Sequence, residues 1–416
     1  MASSYLDHAY EPDPGSGVGL ADPGQVVTCR ERVLAPDGAV LGYALTLVRV
    51  AADGSPVETD DGGADPELHR QYVRLDLLNL VADRVAFIPG TPQMLEGSLP
   101  EHGGFIHLVV DLPERFEQER DAYRRLVALR ASGVELCLHG YTGTALQKVL
   151  LPLVAFVTVE PASFAELPSL VSSAHAVGTR VLASGVRDAA SRELCVGAGV
   201  DGLRGGEAVR ADPDEQRGLH ASQVQCLLAL QLLVGGDVDL DQVASIIQVD
   251  PALTFGVLHL VNSGAFALGH GVETVQQALV LLGVRQVTTL IVALALDATP
   301  DPMDSLWRIL ARARTCEALA AEPAGYTVGL LSALVAELEV PADVVLDQIG
   351  VTLPVATAVR RLEGPLGRVL AAVLAHEHHD NVCVCRAGFT PAVVSSVYVR
   401  CLAESLATAR SATRAS

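Results

Sequence analysis

The stretch "DLDQVASIIQVDPALTFGVLHLVNSG", residues 239–264, decides how the second half of this 416-residue chain folds. Asp239, with Gln242 three residues on, resembles a capping box, in which a side-chain oxygen satisfies an orphan N–H of the first helical turn. Asp250-Pro251 repeats the signal with a capping acid followed by a proline, whose fixed φ suits the first helical position and whose missing N–H costs nothing there. Leu253, Val257, Leu258 and Val261 then recur at the 3.6-residue spacing of a buried helical face. Two helices are predicted, and no strand-like alternation interrupts them.

Toward the C-terminus the same logic continues. "VETVQQALVLLG" (272–283) stops at Gly283, a plausible helix terminator. Further helical patterns run to about residue 402, so residues 219–402 are expected to form an all-α domain. The remainder, 403–416, includes the small, slightly basic "LATARSATRAS" and reads as a flexible tail. The apolar faces of "VQCLLALQLLVGG" (224–236) suit packing within the chain or between copies, so oligomerisation stays open.

Toward the N-terminus the periodicity changes. Eight short β-rich runs (26–34, 39–50, 83–88, 104–112, 134–141, 154–160, 179–186 and 200–206) alternate with helical stretches such as 114–133 and 162–178. Such alternation calls for a largely parallel sheet, and this many repeats suggest closure into an α/β barrel of the TIM type. The expected barrel spans 26–206, with a polar, Pro-containing linker over 207–218 and an acidic tail over 1–25. In such barrels the chemistry sits where strands end and loops begin.

Composition narrows the function classes. A net charge of -20 argues against direct nucleic-acid binding, which needs clustered cations on phosphates. No apolar run reaches about 18 uninterrupted residues, so no membrane span is expected. The first twenty residues lack the basic start and apolar core of a signal peptide. Eight cysteines, mostly isolated in apolar stretches, suit free thiols in a reducing compartment. A cytoplasmic protein is expected.

The α half resembles the HDOD domain, a regulatory relative of the His-Asp hydrolases. "IIQVDPALTFGVLHLVNSGAF" (246–266) and "VETVQQALVLLGVRQVTTLI" (272–291) are similar to that family's D-P-x-L…L-x-x-x-N-S and A-x-x-x-L-G signatures, and "AGYTVGLLSAL" (324–334) to a later helix. The likeness spans roughly 217–385. The first half resembles an EAL domain, a TIM-barrel-like cyclic-di-GMP phosphodiesterase fold, in the version fused to HDOD domains. "VLGYALTLVRV" (40–50) takes the place of that family's Gly-Tyr-Glu-Leu-Leu-x-Arg strand.

The EAL resemblance implies a two-cation centre built from Glu, Asn and Asp at strand ends. Matched strand by strand, the signature Glu becomes Ala44, the next Asn falls on Pro89, and the following Glu on His107. The Asp pair becomes His139-Gly140, the Lys Thr158, a later Glu Ser184, and the final Gln Arg204. The metal ligands are read as lost, so no phosphodiesterase and no cofactor is expected. Arg49, His107, His139, Arg187 and Arg204 would instead make a small cationic pocket at the barrel mouth, suited to a metal-free cyclic dinucleotide or other anion.

The HDOD half offers no replacement chemistry. Its histidines before residue 370, His220, His259 and His270, are not followed by Asp, and no nucleophile elbow, P-loop or CxxC pair is present. Asn262 and Ser263, in "LVNSGAF", are candidates for an interaction turn, although both residue types also favour helix ends through backbone bonding. "AHEHHDNVCVCRAG" (375–388) is the remaining metal candidate, through His376, His379, Asp380, Cys383 and Cys385. Its spacing is not the usual knuckle, "NVCVC" reads as a β-like or turn segment, and "LAHEHHDN" follows a helix as a helix end does. The expectation is a non-catalytic signalling protein that binds protein partners; the rival is a metal-dependent hydrolase using the 376–385 cluster.

Overall fold

A computed structural model of the protein describes residues 24–57, 65–100, 106–186, 188–205, 219–234, 238–262 and 272–413. The chain divides into two compact units, one of Gly24–Ala51 with Pro56–Pro213, the other of Asp214–Ser416 with Ala52–Ser55.

The first unit is a closed eight-stranded barrel in sequence order. Its strands are β1 (Gln25–Leu34), β2 (Val40–Val50), β3 (Val85–Pro89), β4 (Leu108–Asp111), β5 (Glu135–Leu138), β6 (Phe156–Val159), β7 (Arg180–Ser184) and β8 (Gly202–Arg204). All eight expected runs form strands. β1 runs antiparallel to both β2 and β8, and every other neighbouring pair is parallel. The antiparallel start follows from a short Asp37-Gly38 turn: Gly38 takes φ 91° and the Asp37 carboxylate accepts from Ala39 N at 3.0 Å. Parallel neighbours need a crossover instead, and helices such as Ala122–Ala131, Leu167–His175 and Ala189–Gly197 supply it.

Inside the barrel, Val33, Ala44, Phe87, Val109, Cys137, Phe156 and Leu182, one from each of β1 to β7, pack as a dry layer. Phe87 and Phe156 meet edge-on with ring centres 5.1 Å apart. The signature position Ala44 therefore belongs to this apolar plug.

The second unit is all-helical. Its elements are α1 (Ala221–Val234), α2 (Leu240–Val249), α3 (Pro251–Asn262), α4 (Val275–Ala295), α5 (Pro302–Ala320), α6 (Pro323–Leu338), α7 (Ala342–Ile349), α8 (Leu353–Arg361), α9 (Gly364–Glu377), α10 (Asn381–Arg386) and α11 (Pro391–Thr413). Asp239 caps α2 by accepting from Asp241 N and Gln242 N, and Asp250 Oδ1 accepts from Leu253 N at the start of α3. Leu253, Val257 and Val261 are buried, as their spacing predicts, whereas Leu258 is only half-buried. α5 is the central post: its fully buried Trp307 donates Nε1–H to Leu402 O of α11 at 2.8 Å. On α6, a side chain at Gly329 would collide with the α5 backbone at 2.7 Å, so the two helices can approach this closely only over glycine.

α4 is two helices merged across a break. Gly283 takes φ 72° and ψ 162°, so it ends the first segment as the sequence predicts, yet the chain resumes helix at once. α4 and α11 are long and apolar enough to cross a membrane by length and composition, with 61% and 44% of those windows buried inside the protein.

Two expectations are corrected. Residues 403–413 are not a flexible tail but the end of α11, because Leu406, Ala409 and Ala412 extend its buried face. "NVCVC" is the helix α10 and not a β-like segment, because Asp380 caps its first turn and Cys383 and Val384 pack against α9 and α11. The expected linker at 207–218 lies outside the described residues, as do residues 1–23 of the expected N-terminal tail.

Candidate functional site at the barrel mouth

Side chains alternate along a strand, so a step of two residues from the dry layer stays inside the barrel and moves one level toward the mouth. That level holds Pro89, Asp111, His139, Thr158, Ser184 and Arg204 at, next to or just beyond their strand ends, and Glu31 and Thr46 within the longer strands β1 and β2. The residues that sequence matching put at strand ends on β3 and β5 to β8 all occur here. On β4 the match is wrong. His107 precedes β4, at the opposite end of the strand, and its carbonyl accepts from Ala86 N at the start of β3. The strand ends on Asp111, which with Glu31 of β1 supplies the carboxylates of this level.

Asp111 is 4% exposed and closes an ion cluster. Its Oδ2 accepts from Arg204 Nη1 at 2.7 Å, across 93 residues of sequence, and lies 3.4 Å from His139 Nε2. Burial pushes the Asp111 carboxyl up, but the Arg204 guanidinium and His139 outweigh it and hold the carboxyl below the usual range. Arg204 is held up in turn: burial opposes its charge, while Asp111 and then, more weakly, Glu31 of β1 favour it. His139 Nδ1 lies 3.4 Å from Thr158 Oγ1, which also accepts from Gly140 N at 3.1 Å. Directly below, Cys137 is fully buried, and desolvation together with Asp111 pushes its thiol far up, so it stays protonated.

This donor set does not fit a two-cation centre. Such a centre needs several free anionic oxygens. Pro89, Thr158 and Ser184 carry no charge, Asp111 Oδ2 is committed so that only its Oδ1 lacks a partner, Glu31 acts on Arg204, and Arg204 itself adds a fixed positive charge beside the acids.

The cationic candidates do not assemble as expected either. Arg204 and His139 come together, but around a carboxylate. Arg49 is paired with Asp65 at 2.6 Å, the residue that caps the helix Pro66–Val73. His107 is at the wrong end, and Arg187 lies outside the described residues. Asp111 was missed because "HLVVDLP" (107–113) runs apolar on both faces, so alternation gives no register there. The available signal was an acid immediately before a Leu-Pro turn.

In the helical unit, Asn262 is the last residue of α3 and works as a clamp. Its Nδ2 donates to Leu258 O and Val272 O, both at 2.9 Å, and its Oδ1 accepts from Val272 N at 2.8 Å. Its polar atoms are thus used internally rather than presented at an interaction turn; Ser263 lies outside the described residues. His259 is exposed and stacks on Phe255 at 5.6 Å.

The 376–385 residues end one helix and start the next. His379 takes the left-handed φ 61°, and Asp380 accepts from Cys383 N at 2.9 Å. His376 is buried edge-on against Tyr398, and desolvation lowers it to about 4. Glu377 is gripped by Arg312 Nε at 3.0 Å and by Arg312 Nη2. Burial and Asp380 raise the Cys383 thiol to about 11. Among the described residues no three His, Cys, Asp or Glu side chains form a group able to hold a metal ion.

Residues 224–331 match the HDOD domain family. The HDOD match thus begins in α1 and ends in α6, short of the 385 expected from sequence and short of the 376–385 cluster. The barrel is similar to solved EAL structures. The EAL domain protein of Listeria monocytogenes EGD-e is 12% identical with a TM-score of 0.36, over 45% of this chain and 88% of that one. The FimX EAL domain of Pseudomonas aeruginosa, bound to c-di-GMP, is 14% identical at 0.34, over 44% and 88%. YkuI of Bacillus subtilis, with an EAL domain in complex with c-di-GMP and calcium, is 15% identical at 0.34, over 43% and 54%. No curated protein matches the chain.

Proposed function

We propose that this chain is a signalling protein that acts through binding and not through catalysis, with an EAL-like barrel and an HDOD domain as its two parts. The observation that carries this reading is the Asp111–Arg204–His139 cluster: the one acid left at the end of a parallel strand is neutralised by the protein's own cations. A guanidinium holds Asp111 permanently, whereas a catalytic cation must leave positions open for substrate and water. The hydrolase alternative at 376–385 is disfavoured because Asp380 and Glu377 are spent on a helix cap and a buried ion pair.

The test combines metal analysis of the purified protein, after equilibration with Mg²⁺ and Mn²⁺, with turnover assays on cyclic di-GMP. No stoichiometric metal and no hydrolysis are expected. Hydrolysis that disappears in Asp111→Asn would overturn the proposal. Calorimetry with the same nucleotide asks separately whether the mouth still binds it without turnover.

A further inference from the structure

The helical unit takes in one short segment from far upstream in the chain, Ala52–Ser55. The segment is a turn held by its own bonds. Asp53 Oδ1 accepts from Ser55 N at 2.9 Å and from Ser55 Oγ at 2.6 Å, and Val50 and Pro56 bridge its base. Ala52 and Asp53 are exposed, while Gly54 is buried against the start of α10. Gly54 takes φ 84°, and a Cβ there would stand 2.3 Å from Asn381 O and 2.8 Å from Val382 N. The turn reaches α10 this closely only because no side chain intervenes. Beside it, Cys385 Sγ donates to Ala52 O at 3.5 Å, and burial, then the Asp53 carboxylate, push the Cys385 thiol up.

This contact is weak beside those that hold α10 itself. Cys383 and Val384 of α10 sit in a buried cluster with Ala372 and Ala375 of α9 and Val394 of α11. The turn adds one buried glycine and one long thiol hydrogen bond, so little apolar surface holds it in place. The closed arrangement also leaves Asn381 Oδ1 buried without a partner, which counts against it. A preformed element held by so few contacts opens locally at far lower cost than the helices unfold. We propose that Ala52–Ser55 is a strap poised to open and close over the start of α10, covering Asn381 and Cys385. The strap begins two residues after β2 ends at Val50, so the chain itself ties its position to that strand. The second half of the 376–385 stretch is thus the seat of the strap.

Cys385 reports the strap, because the other seven cysteines are buried. The experiment follows maleimide labelling of the full chain at neutral pH, with each labelled cysteine located by mass spectrometry. Gly54→Ala is expected to raise the Cys385 rate about tenfold or more, with the chain still folded by circular dichroism, since the methyl has no room against α10. Gly133→Ala is the control. Gly133 shares the positive φ, 85°, but an added Cβ there meets nothing within 4 Å, so its Cys385 rate should match wild type. If Gly54→Ala does not fold, the native chain decides. Its Cys385 labelling should then climb in urea well below the unfolding midpoint with a shallow slope, while Cys316 and Cys401 stay unlabelled. A Cys385 rate unchanged by Gly54→Ala, or raised equally by Gly133→Ala, would overturn the proposal. So would urea-dependent labelling of Cys385 in step with Cys316. Neither result bears on whether the barrel mouth hydrolyses a nucleotide.

Discussion

Arg204 on the last barrel strand donates to Asp111 on the fourth at 2.7 Å, tying strands that are not neighbours in the sheet. The pair spans the mouth at the level where a parallel barrel exposes its strand ends. A side chain of this chain thereby supplies the positive charge that a carboxylate at such a site demands.

The first prediction concerns this pair. Arg204→Met leaves the buried Asp111 with only His139 beside it, which costs about 3–5 kcal/mol, whereas Arg204→Met with Asp111→Leu should recover most of the loss. Urea unfolding of the two singles and the double measures the coupling; strict additivity would show that the pair does not interact. The pH sign follows from the lowered Asp111 pKa. Its stabilisation is present above the unfolded-state pKa and is lost as pH falls through the folded one. Asp111→Asn should remove that part of the acid limb.

His376 titrates in the helical unit with the opposite chemistry and the same direction in pH. Its folded pKa of about 4 lies below the ordinary 6.5, because burial against Tyr398 disfavours the charged ring. The unfolded chain binds the proton first, so stability should fall as pH drops from 6.5 toward 4 and level off below that. The total loss is about 3 kcal/mol. His376→Phe keeps the ring contact and should flatten this limb; an unchanged limb assigns it elsewhere.

Arg312 and Glu377 form a second buried pair, both nearly solvent-free, between α5 and α9. Glu377→Gln should destabilise the helical unit by about 3–5 kcal/mol, while Arg312→Met with Glu377→Leu should come close to wild type. Thermal unfolding of the three variants reads this out. A double variant as unstable as the single would mean the pair contributes strongly in its own right.

The Asn262 clamp makes the fourth prediction. Asn262→Ala removes three bonds across the end of α3, so a loss of about 1–3 kcal/mol and faster amide exchange at Val272 are expected. Unchanged exchange at Val272 would return Asn262 to the candidates for direct partner contact.

Much of the fold was legible because its signals are local. Short β-rich runs alternating with helical stretches located all eight strands, Asp239 and Asp250 marked helix starts through their reach to the next few N–H groups, and Gly283 marked a break. The site was half legible. Pro89, His139, Thr158, Ser184 and Arg204 were placed at strand ends by the strand-by-strand match to the EAL pattern, and the strands do end at or near them. Asp111 was not, because β4 is apolar on both faces and offers no register. The reading of 376–385 as a helix end succeeded for the same local reason, while "NVCVC" misled because β-branched valines bias toward strand until tertiary packing overrides them.

By itself the sequence determined the alternating barrel half and the helical half. Both depend on residue type at positions a few residues apart. Only the tertiary structure decided that Asp111 faces Arg204 and His139, that Arg49 is taken by Asp65, and that Arg312 closes on Glu377. Electrostatic pairing and surface contiguity depend on distance through space, and closing the barrel and folding the helices back set distances that spacing along the chain does not encode.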